Sequence, residues 1–412
     1  MDHHSQATVR LARSVKGDLV SHSVIVAGAR TPIGKLSGSL AGMSASALGS
    51  FAIAAALDRA GISPDEVGYL LMGQVLQAGQ GGNAARQAGA LAGLPLSIAS
   101  TTINKMCLSG LNAIHLADLL IRSGEAEIVV AGGMESMTEA PFLLEGARGG
   151  LRFGDHALLD TVMKDGLLCA FEHQPMGAET ERFAGGKFTR EDLDRLALSS
   201  HQRAARATSD GVLGEEIVGV RIPQRHGDLV VVSDDEGIRP ETSIELLGRL
   251  RPAFSTDGTI TAGNASQISD GAAAVVVTSR AVADRLGVKP LGEIVGYGEV
   301  AGPDTSLLTQ PSRAIRAALD RAGRSLSEID LFEINEAFAT VALASMADLG
   351  VSEEIVNVNG GAIALGHPIG MSGARLALTL GYELNRRGAT LGAAALCGGG
   401  GQGDALLLRT IS

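Results

Sequence analysis

The chain contains two copies of one segment, and this internal repeat constrains its fold more than any other feature. Residues 52–61 read AIAAALDRAG and residues 314–323 read AIRAALDRAG, so nine of the ten positions are identical. The similarity continues in register along the chain, in the pairs Ser63 and Ser325, Glu66 and Glu328, and Ser109-Gly110 and Ser372-Gly373. Chance rarely produces two such matches in register, so the sequence indicates a duplicated unit.

Each copy predicts the same order of elements. A helix that ends at a glycine is followed by a short apolar strand, a glycine-rich turn, a second helix that begins at Ser-Gly, and another strand. The predicted helices are 52–59 and 314–321, and the predicted strands are 67–72, 329–334, 127–131 and 391–396. Strands that alternate with helices indicate βαβ units and a largely parallel sheet. The predicted fold class is therefore α/β, a duplicated βαβ sandwich of two similar halves.

The first copy is interrupted by an insertion. In the second copy Asp404 follows Gly398 after six residues, whereas the matching Asp270 lies far beyond Gly132. We predict a first half at 23–138 and 266–286, an inserted loop domain at 139–265, a second half at 287–412 and a tail at 1–22. We expect the insertion to lie over the ends of the strands, where open α/β sheets usually bind ligands.

Composition excludes several other classes of protein. A net charge of −11 and an aromatic share of 3% argue against a nucleic-acid partner. The longest uncharged stretch, 36–57, is rich in serine and glycine, so we interpret it as a loop and a buried helix and expect no membrane span. Three cysteines without a pairing pattern and the lack of a secretory signal indicate a cytoplasmic protein. The spacing of cysteines and histidines predicts no metal site.

Cys107 is the first candidate for chemistry. It lies in the segment NKMCLSG, directly before residues 108–122, whose apolar positions have helical spacing. The N–H groups and dipole of a helix N-terminus stabilise a thiolate, which is the nucleophilic form of cysteine. A buried cysteine that only fills space fits the same position, so location alone leaves both interpretations open.

His367 is the second candidate, and the repeat relates it to the first. It lies in GHPIG, before the second Ser-Gly helix, at the position that Asn104 has in the first copy. In two halves related by a pseudo-twofold axis, the two helix N-termini can face each other. His367 of one half could then meet Cys107 of the other, as activation of a nucleophile requires. An ordinary loop histidine is the alternative.

Two further candidates end predicted strands of the second half. Cys397 begins CGGGGQGD, where glycines let the backbone approach a ligand and point N–H groups at an anion. The same glycines fit GxGxxG, but a dinucleotide fingerprint opens a helix and these residues precede a predicted strand, so we reject that interpretation. Asn335 follows the strand that ends at residue 334; it either orients a water or an oxyanion, or caps a helix.

With these residues in place, the sequence resembles the thiolase family. The segments NKMCLSG, NEAFA, GGAIALGHPIGMSGAR, ALCGGGGQGDA and TAGNASQISDGAAAVV are similar to its signature segments, and the resemblance runs from about Val24 to the C-terminus. It implies two similar α/β halves with a CoA-binding loop domain inserted in the first.

The resemblance also implies a role for each candidate. Cys107 would be acylated by the first acyl-CoA, with His367 activating its sulfur, and Cys397 would be the acid/base for the α-proton of the second. His367 with a water held by Asn335 would form one oxyanion hole, and the backbone N–H groups of Cys107 and Gly399 the other. No cofactor is implied beyond the CoA thioesters that are substrate and product.

The resemblance predicts the contacts to CoA less completely than the catalytic residues. Arg239 and Ser266 match positions that contact CoA in similar enzymes. Biosynthetic members usually have a histidine where this chain has Pro175. Residues 178–180 also differ from the usual sequence, and Leu246 replaces a serine found in some members. These differences leave the length of the acyl chain open.

The expected activity is reversible condensation of two acetyl-CoA molecules to acetoacetyl-CoA and CoA, with ping-pong kinetics through an acyl-cysteine. The alternatives are a degradative 3-ketoacyl-CoA thiolase for longer chains and, from a different class, a non-catalytic acyl-CoA or lipid carrier on the same fold. Decarboxylating ketosynthases are disfavoured because they use a second histidine where this chain has Asn335. The resemblance further implies a homo-oligomer, either a dimer or a tetramer.

Overall fold

The duplication appears in the structure, a computed structural model, as two sets of matching strands and helices. Residues 22–222 and 229–411 are described, so the predicted tail lies outside them except for His22. The strands are β1 (Ser23–Arg30), β2 (Gly34–Lys35), β3 (Tyr69–Gly73), β4 (Ala99–Ile103), β5 (Ile128–Ser136), β6 (Phe142–Leu143), β7 (Leu159–Asp160), β8 (Val220–Ile222), β9 (Val230–Val232), β10 (Ser269–Ser279), β11 (Gly292–Ala301), β12 (Leu331–Ile334), β13 (Leu391–Gly398) and β14 (Gln402–Arg409). The α-helices are α1 (Ala45–Ala60), α2 (Ala84–Leu91), α3 (Ser109–Ser123), α4 (Met176–Ala184), α5 (Arg190–Ser209), α6 (Ile244–Gly248), α7 (Arg280–Leu286), α8 (Gln310–Ala322), α9 (Ala339–Leu349), α10 (Ala362–Leu365) and α11 (Ser372–Arg387).

The order of strands in the main sheet shows how the two copies are related. Strands run in the order β12-β13-β14-β11-β1-β10-β5-β3-β4, and β2 pairs with β10. β1 and β11 meet in the middle as an antiparallel pair, with Val24 opposite Glu293. Outward from this junction, β10, β5 and β3 of the first copy correspond to β14, β13 and β12 of the second. The two copies are therefore related by a pseudo-twofold axis at the β1–β11 junction.

The expectation of a largely parallel sheet is wrong. β3 is parallel to β4 and β5, and β12 is parallel to β13. The pairs nearer the junction are antiparallel: β5–β10, β10–β1, β1–β11, β11–β14 and β14–β13. The reason is the connection after β13, where a glycine turn at 399–401 leads directly back into β14, and a tight hairpin can join only antiparallel strands.

Helices α3 and α11 pack against each other between the two halves of the sheet. Alternation along β5 shows this layering, because Val129 belongs to the core that contains both helices while Val130 belongs to the core under α1. β14 alternates in the same way, with Leu408 facing α3 and α11 and Leu407 facing α8. The order of layers is helices, sheet, central helices, sheet, helices.

The segment between β5 and β10 contains β6–β9 and α4–α6, and a buried ion pair fixes it to the first half. Arg30 of β1 is buried and donates to Glu216 at 2.6 Å and to Asp235 at 2.7 and 2.8 Å. Both carboxylates belong to the inserted segment. Within the described residues, no helix combines the length and the hydropathy that a membrane span needs.

Candidate active site

Cys107 lies in a strained turn between β4 and α3. Met106 has φ of +53°, a left-handed conformation that costs a non-glycine residue about 1–2 kcal/mol. Three hydrogen bonds hold the turn: Met106 N–H donates to Asn104 Oδ1 at 3.0 Å, Lys105 N–H donates to Ser109 Oγ at 2.9 Å, and Ser109 Oγ donates to Met106 O at 2.6 Å. Cys107 is thereby presented two residues before the start of α3.

The sulfur of Cys107 is buried beside two backbone N–H groups. The side chain is 8% exposed. Burial raises its pKa to about 11, although the N–H groups of Gly399 and of Cys107 itself lie against the sulfur and favour the thiolate. At neutral pH the group is therefore a thiol, and a base must remove its proton before it can attack.

Cys397 of the second half lies close to Cys107. It is 1% exposed at the end of β13, and its pKa is raised by burial and, next, by the negative charge of a Cys107 thiolate. Its apolar surroundings include Cys169, Met176 and Leu307. The fold thus brings cysteines from both copies into one buried site.

His367 is a neutral base with a defined tautomer. Burial, assisted by the charge of Arg375, lowers its pKa to about 4. Ser372 Oγ donates to Pro368 O at 2.9 Å, so it accepts a proton from His367 Nδ1, which lies 2.6 Å away. Nε2 then carries the lone pair and accepts from Asn335 Nδ2 at 3.4 Å. In this tautomer Nε2 is the nitrogen that can receive a proton.

Asn335 presents one unused polar atom to this site. Its side chain is fully buried after β12, and its Oδ1 has no hydrogen-bond partner within the described residues. A buried carbonyl oxygen without a protein partner is what the binding of a water or a substrate group requires.

No hydrogen bond joins His367 to Cys107 within the described part of the chain. Glu135 instead ties the loop of His367 to the loop that follows β3. Glu135 at the end of β5 accepts from the N–H groups of Val75, Leu76 and Gly370 at 3.0, 3.0 and 2.9 Å. Burial raises its pKa to about 7 against the effect of these three donors. Neither Glu135 nor Ser372 was predicted from the sequence as a functional residue. The signals were present, since Glu135 is the only acidic residue of a buried apolar strand and Ser372 begins the helix after His367.

The two residues expected to contact CoA lie in different surroundings. Ser266 donates through N–H and Oγ to Ala337 O, at 3.1 and 3.0 Å, two residues after Asn335. The next residue, Gln267, accepts the His367 N–H at 3.1 Å, so this segment runs between the loops of Asn335 and His367. Arg239 is half-buried, and its N–H donates to Nδ1 of His201 at 3.2 Å. No hydrogen bond joins Arg239 to a cysteine among the described residues.

A cavity of ≈ 600 Å³ opens between the inserted segment and the catalytic loops. Its lining includes Leu168, Phe171 and Met176 of the insertion and, from the catalytic loops, Met106 and Gly399.

Of the residues that differ from the usual sequence, Pro175 directly precedes Met176 of this cavity, Ala178 lines a second cavity, and Leu246 is exposed. Pro175 precedes α4 without a side-chain cap, and the buried Glu179 accepts a hydrogen bond from Thr305. No group of His, Cys, Asp and Glu in residues 22–222 and 229–411 is arranged to hold a metal.

Comparison with known proteins shows which family the chain is similar to. Residues 23–281 match the family model described as "Thiolase, N-terminal domain", and residues 288–410 match "Thiolase, C-terminal domain". The "Probable acetyl-CoA acetyltransferase" of Mycobacterium leprae (strain TN) is 57% identical over 390 residues, covering 94% of this chain and 99% of the relative. The "Acetyl-CoA acetyltransferase" of Pseudomonas aeruginosa is 48% identical over 387 residues, covering 93% and 98%.

A solved structure is similar as well. The crystal structure of the Bacillus anthracis acetyl-CoA acetyltransferase superimposes with a TM-score of 0.93 at 39% identity, covering 95% of this chain and 99% of that one. The resemblance seen in the sequence and the predicted fold class are both confirmed. The matches extend over both halves and the insertion, so the chain belongs to the thiolase family.

Proposed function

We propose that this protein is an acetyl-CoA C-acetyltransferase that condenses two acetyl-CoA molecules and also catalyses the reverse thiolysis. One observation carries the proposal most directly: cysteines from the two halves share one buried site, and the Gly399 N–H already lies against the Cys107 sulfur. The relatives named acetyl-CoA acetyltransferase at 48–57% identity support the same reaction.

The first half-reaction transfers an acetyl group to Cys107. His367 Nε2 takes the thiol proton, the sulfur attacks the thioester carbonyl, and the carbon–sulfur bond to CoA breaks as that proton moves to the CoA sulfur. The N–H groups of Cys107 and Gly399 flank the sulfur, so they are placed to donate to the oxygen of the tetrahedral intermediate. Acyl transfer through cysteine divides the condensation into two accessible steps.

The second half-reaction forms the carbon–carbon bond. The Cys397 thiolate removes an α-proton from the second acetyl-CoA, and a water held by Asn335 donates a hydrogen bond to the enolate oxygen. The enolate carbon attacks the acetyl carbonyl, the bond to Cys107 breaks, and the proton on Cys397 passes to the released Cys107 thiolate. An acetylated Cys107 cannot form the thiolate whose charge would raise the Cys397 pKa further, so that obstacle to forming the Cys397 thiolate is absent in the second step.

The test of this function is CoA-dependent thiolysis of acetoacetyl-CoA against 3-ketoacyl-CoA substrates of about ten to sixteen carbons. We expect a strong preference for acetoacetyl-CoA in kcat/KM. Faster turnover of the long substrates would contradict the proposal and assign a degradative thiolase, with the cavity beside Pro175 holding the chain. Turnover of none of them, with acyl-CoA still bound, would assign a non-catalytic carrier.

We also propose that the protein is a homo-oligomer, a dimer or a tetramer. The hairpin β6–β7 and its loop expose Phe142, Phe153 and Leu158 in one segment of the insertion. Exposed apolar clusters of this kind mark protein–protein contacts. Light scattering on eluate from a sizing column measures the state, and a monomer at assay concentration would contradict this.

We place the enzyme in the cytoplasm. Cys107, Cys169 and Cys397 are all free and buried, and the proposed chemistry needs two of them as thiols or thiolates. Thiols persist in a reducing compartment. Fractionation of the native cells tests this, and enzyme found only in an oxidising compartment would contradict it.

A further inference from the structure

A buried ion pair joins the Cys107 turn to the hairpin that carries Gly399. Lys105 Nζ lies 2.9 and 3.0 Å from the two carboxylate oxygens of Asp404, and it also contacts Glu299. Asp404 is fully buried, whereas Lys105 and Glu299 are 15% and 50% exposed. Because Lys105 is only two residues before Cys107, the ion pair acts directly on the nucleophile's turn.

The register of the sheet shows what this pair holds together. Asp404 of β14 lies opposite Leu396 of β13, the residue before Cys397, and opposite Glu299 of β11. Gly399 lies in the turn between β13 and β14. Lys105 therefore ties the turn of one half to β14 of the hairpin and to the neighbouring strand β11 in the other half.

Other side chains brace the same carboxylate. Tyr297 donates its hydroxyl to Asp404, and Asn112 of α3 donates to the Tyr297 hydroxyl at 3.4 Å. The ring of His115, also on α3, stacks on Tyr297 with centroids 3.8 Å apart. Asp404 is thus held from α3 and β11 as well, so it is a fixed point for Lys105.

The duplication provides an internal comparison. Lys105 corresponds to Pro368 in the second copy, and Asp404 corresponds to Asp270 in the first. A Cβ on Gly271, the residue after Asp270, would lie 3.2 Å from Pro368. The turn that contains Pro368 therefore also lies against a strand of the opposite half. There Asp270 instead accepts from Thr138 N–H and Oγ, at 2.9 and 2.6 Å. Of these two equivalent crossings, only the one that carries the nucleophile has the ion pair.

We propose that Lys105 is a positioning residue whose ion pair with Asp404 holds the Cys107 turn against the β13–β14 hairpin, so that the Gly399 N–H reaches the Cys107 sulfur. This inference rests on the proposed role of Cys107 as nucleophile. A displacement of about 1 Å in a catalytic group can cost about a hundredfold in rate. Because Met106 has a strained φ, the turn would relax to a less strained conformation when the ion pair between Lys105 and Asp404 is lost.

The test uses Lys105→Gln and Asp404→Asn in the full chain. Single-turnover acetylation by saturating acetyl-CoA should fall about tenfold or more in both variants. The control is Arg285→Gln, which removes an exposed ion pair with Glu127 far from the site and should leave the rate unchanged.

The discriminating readout is the pH dependence of Cys107 alkylation by iodoacetamide, located by peptide mass spectrometry. Glu135 and Cys397 face Cys107. Glu299 and His115 face Lys105, and Tyr297 donates to Asp404. All of these groups remain in every variant. By charge alone, loss of Lys105 raises the Cys107 pKa and loss of Asp404 lowers it. Loss of the Gly399 hydrogen bond raises it in both variants, by about one unit.

A raised pKa in both variants supports positioning. A Cys107 pKa that rises in Lys105→Gln and falls in Asp404→Asn would mean that the ion pair acts on Cys107 through charge alone. That result would overturn the proposal. An unchanged pH profile of Cys107 alkylation, with only a lower melting temperature, would mean that the ion pair has a purely structural role. That result would overturn the proposal as well. If Lys105→Gln does not fold, the direction of the shift in Asp404→Asn decides alone. Alkylation needs no CoA, so it judges this inference even if acetyl transfer fails.

Discussion

At the scale of single residues, the sequence identified the groups that could react but not their protonation. Cys107, His367, Cys397 and Asn335 were found from motifs and the repeat; the structure buries all four and joins Asn335 to His367 by a hydrogen bond. The tautomer of His367 could not be predicted, because it depends on a hydrogen bond from Nδ1 to Ser372 that exists only in the folded turn. The roles of these residues remain predictions.

Ser372→Ala tests the tautomer. Without the Ser372 hydroxyl as acceptor, the proton of His367 is no longer held on Nδ1. We expect the acetylation rate of Cys107 to fall about 10- to 100-fold, because a catalytic histidine in the incorrect tautomer is a poor base. Ser312→Ala is the matched control, because Ser312 is also a buried serine in the first turn of a helix and donates to a backbone carbonyl at 2.9 Å. Equal rates in the two variants would contradict the assignment of the tautomer.

At the scale of elements, periodicity predicted the existence of most strands and helices of the repeat but not their pairing. The predicted strand 67–72 is β3 at Tyr69–Gly73, and 391–396 is β13 at Leu391–Gly398. The antiparallel direction of β14 was missed, because it depends on the turn at 399–401 rather than on the strands themselves. The repeat correctly related α3 and α11, and their close crossing depends on Gly110 and Gly373.

Gly373→Ala tests this crossing. A Cβ there would lie 2.4 Å from Leu111 N, so the helices must separate, at a cost of about 1–3 kcal/mol in the free energy of unfolding. Urea denaturation measures the cost. Gly381→Ala in the same helix is the control, because its Cβ would meet only leucine side chains, at 3.3 and 3.6 Å. A Gly373→Ala variant as stable as that control would show that the helices do not cross closely.

At the scale of the whole molecule, the repeat predicted two halves and the place of the insertion. The predicted boundaries of the domains remain predictions. What the sequence could not predict is the anchor of the insertion, because Arg30, Glu216 and Asp235 are far apart in the chain and no short motif relates them.

Arg30→Met tests that anchor. It leaves two buried carboxylates without their cation, so we expect unfolding to become easier by about 3–5 kcal/mol. The exposed pair removed by Arg285→Gln should cost at most about 1 kcal/mol. Chemical denaturation at pH 7 compares the two variants. Similar values for both would mean that the buried pair does not fix the insertion.

The central claim is that Cys107 carries the acyl group and Cys397 acts on the second substrate. The most direct measurement is the stoichiometry and location of acetyl label after exposure to labelled acetyl-CoA. We predict label on Cys107 in the wild type, none in Cys107→Ala, and label on Cys107 without acetoacetyl-CoA in Cys397→Ala. Retained covalent label in Cys107→Ala, or no acetylation in a folded Cys397→Ala, would contradict this division of roles.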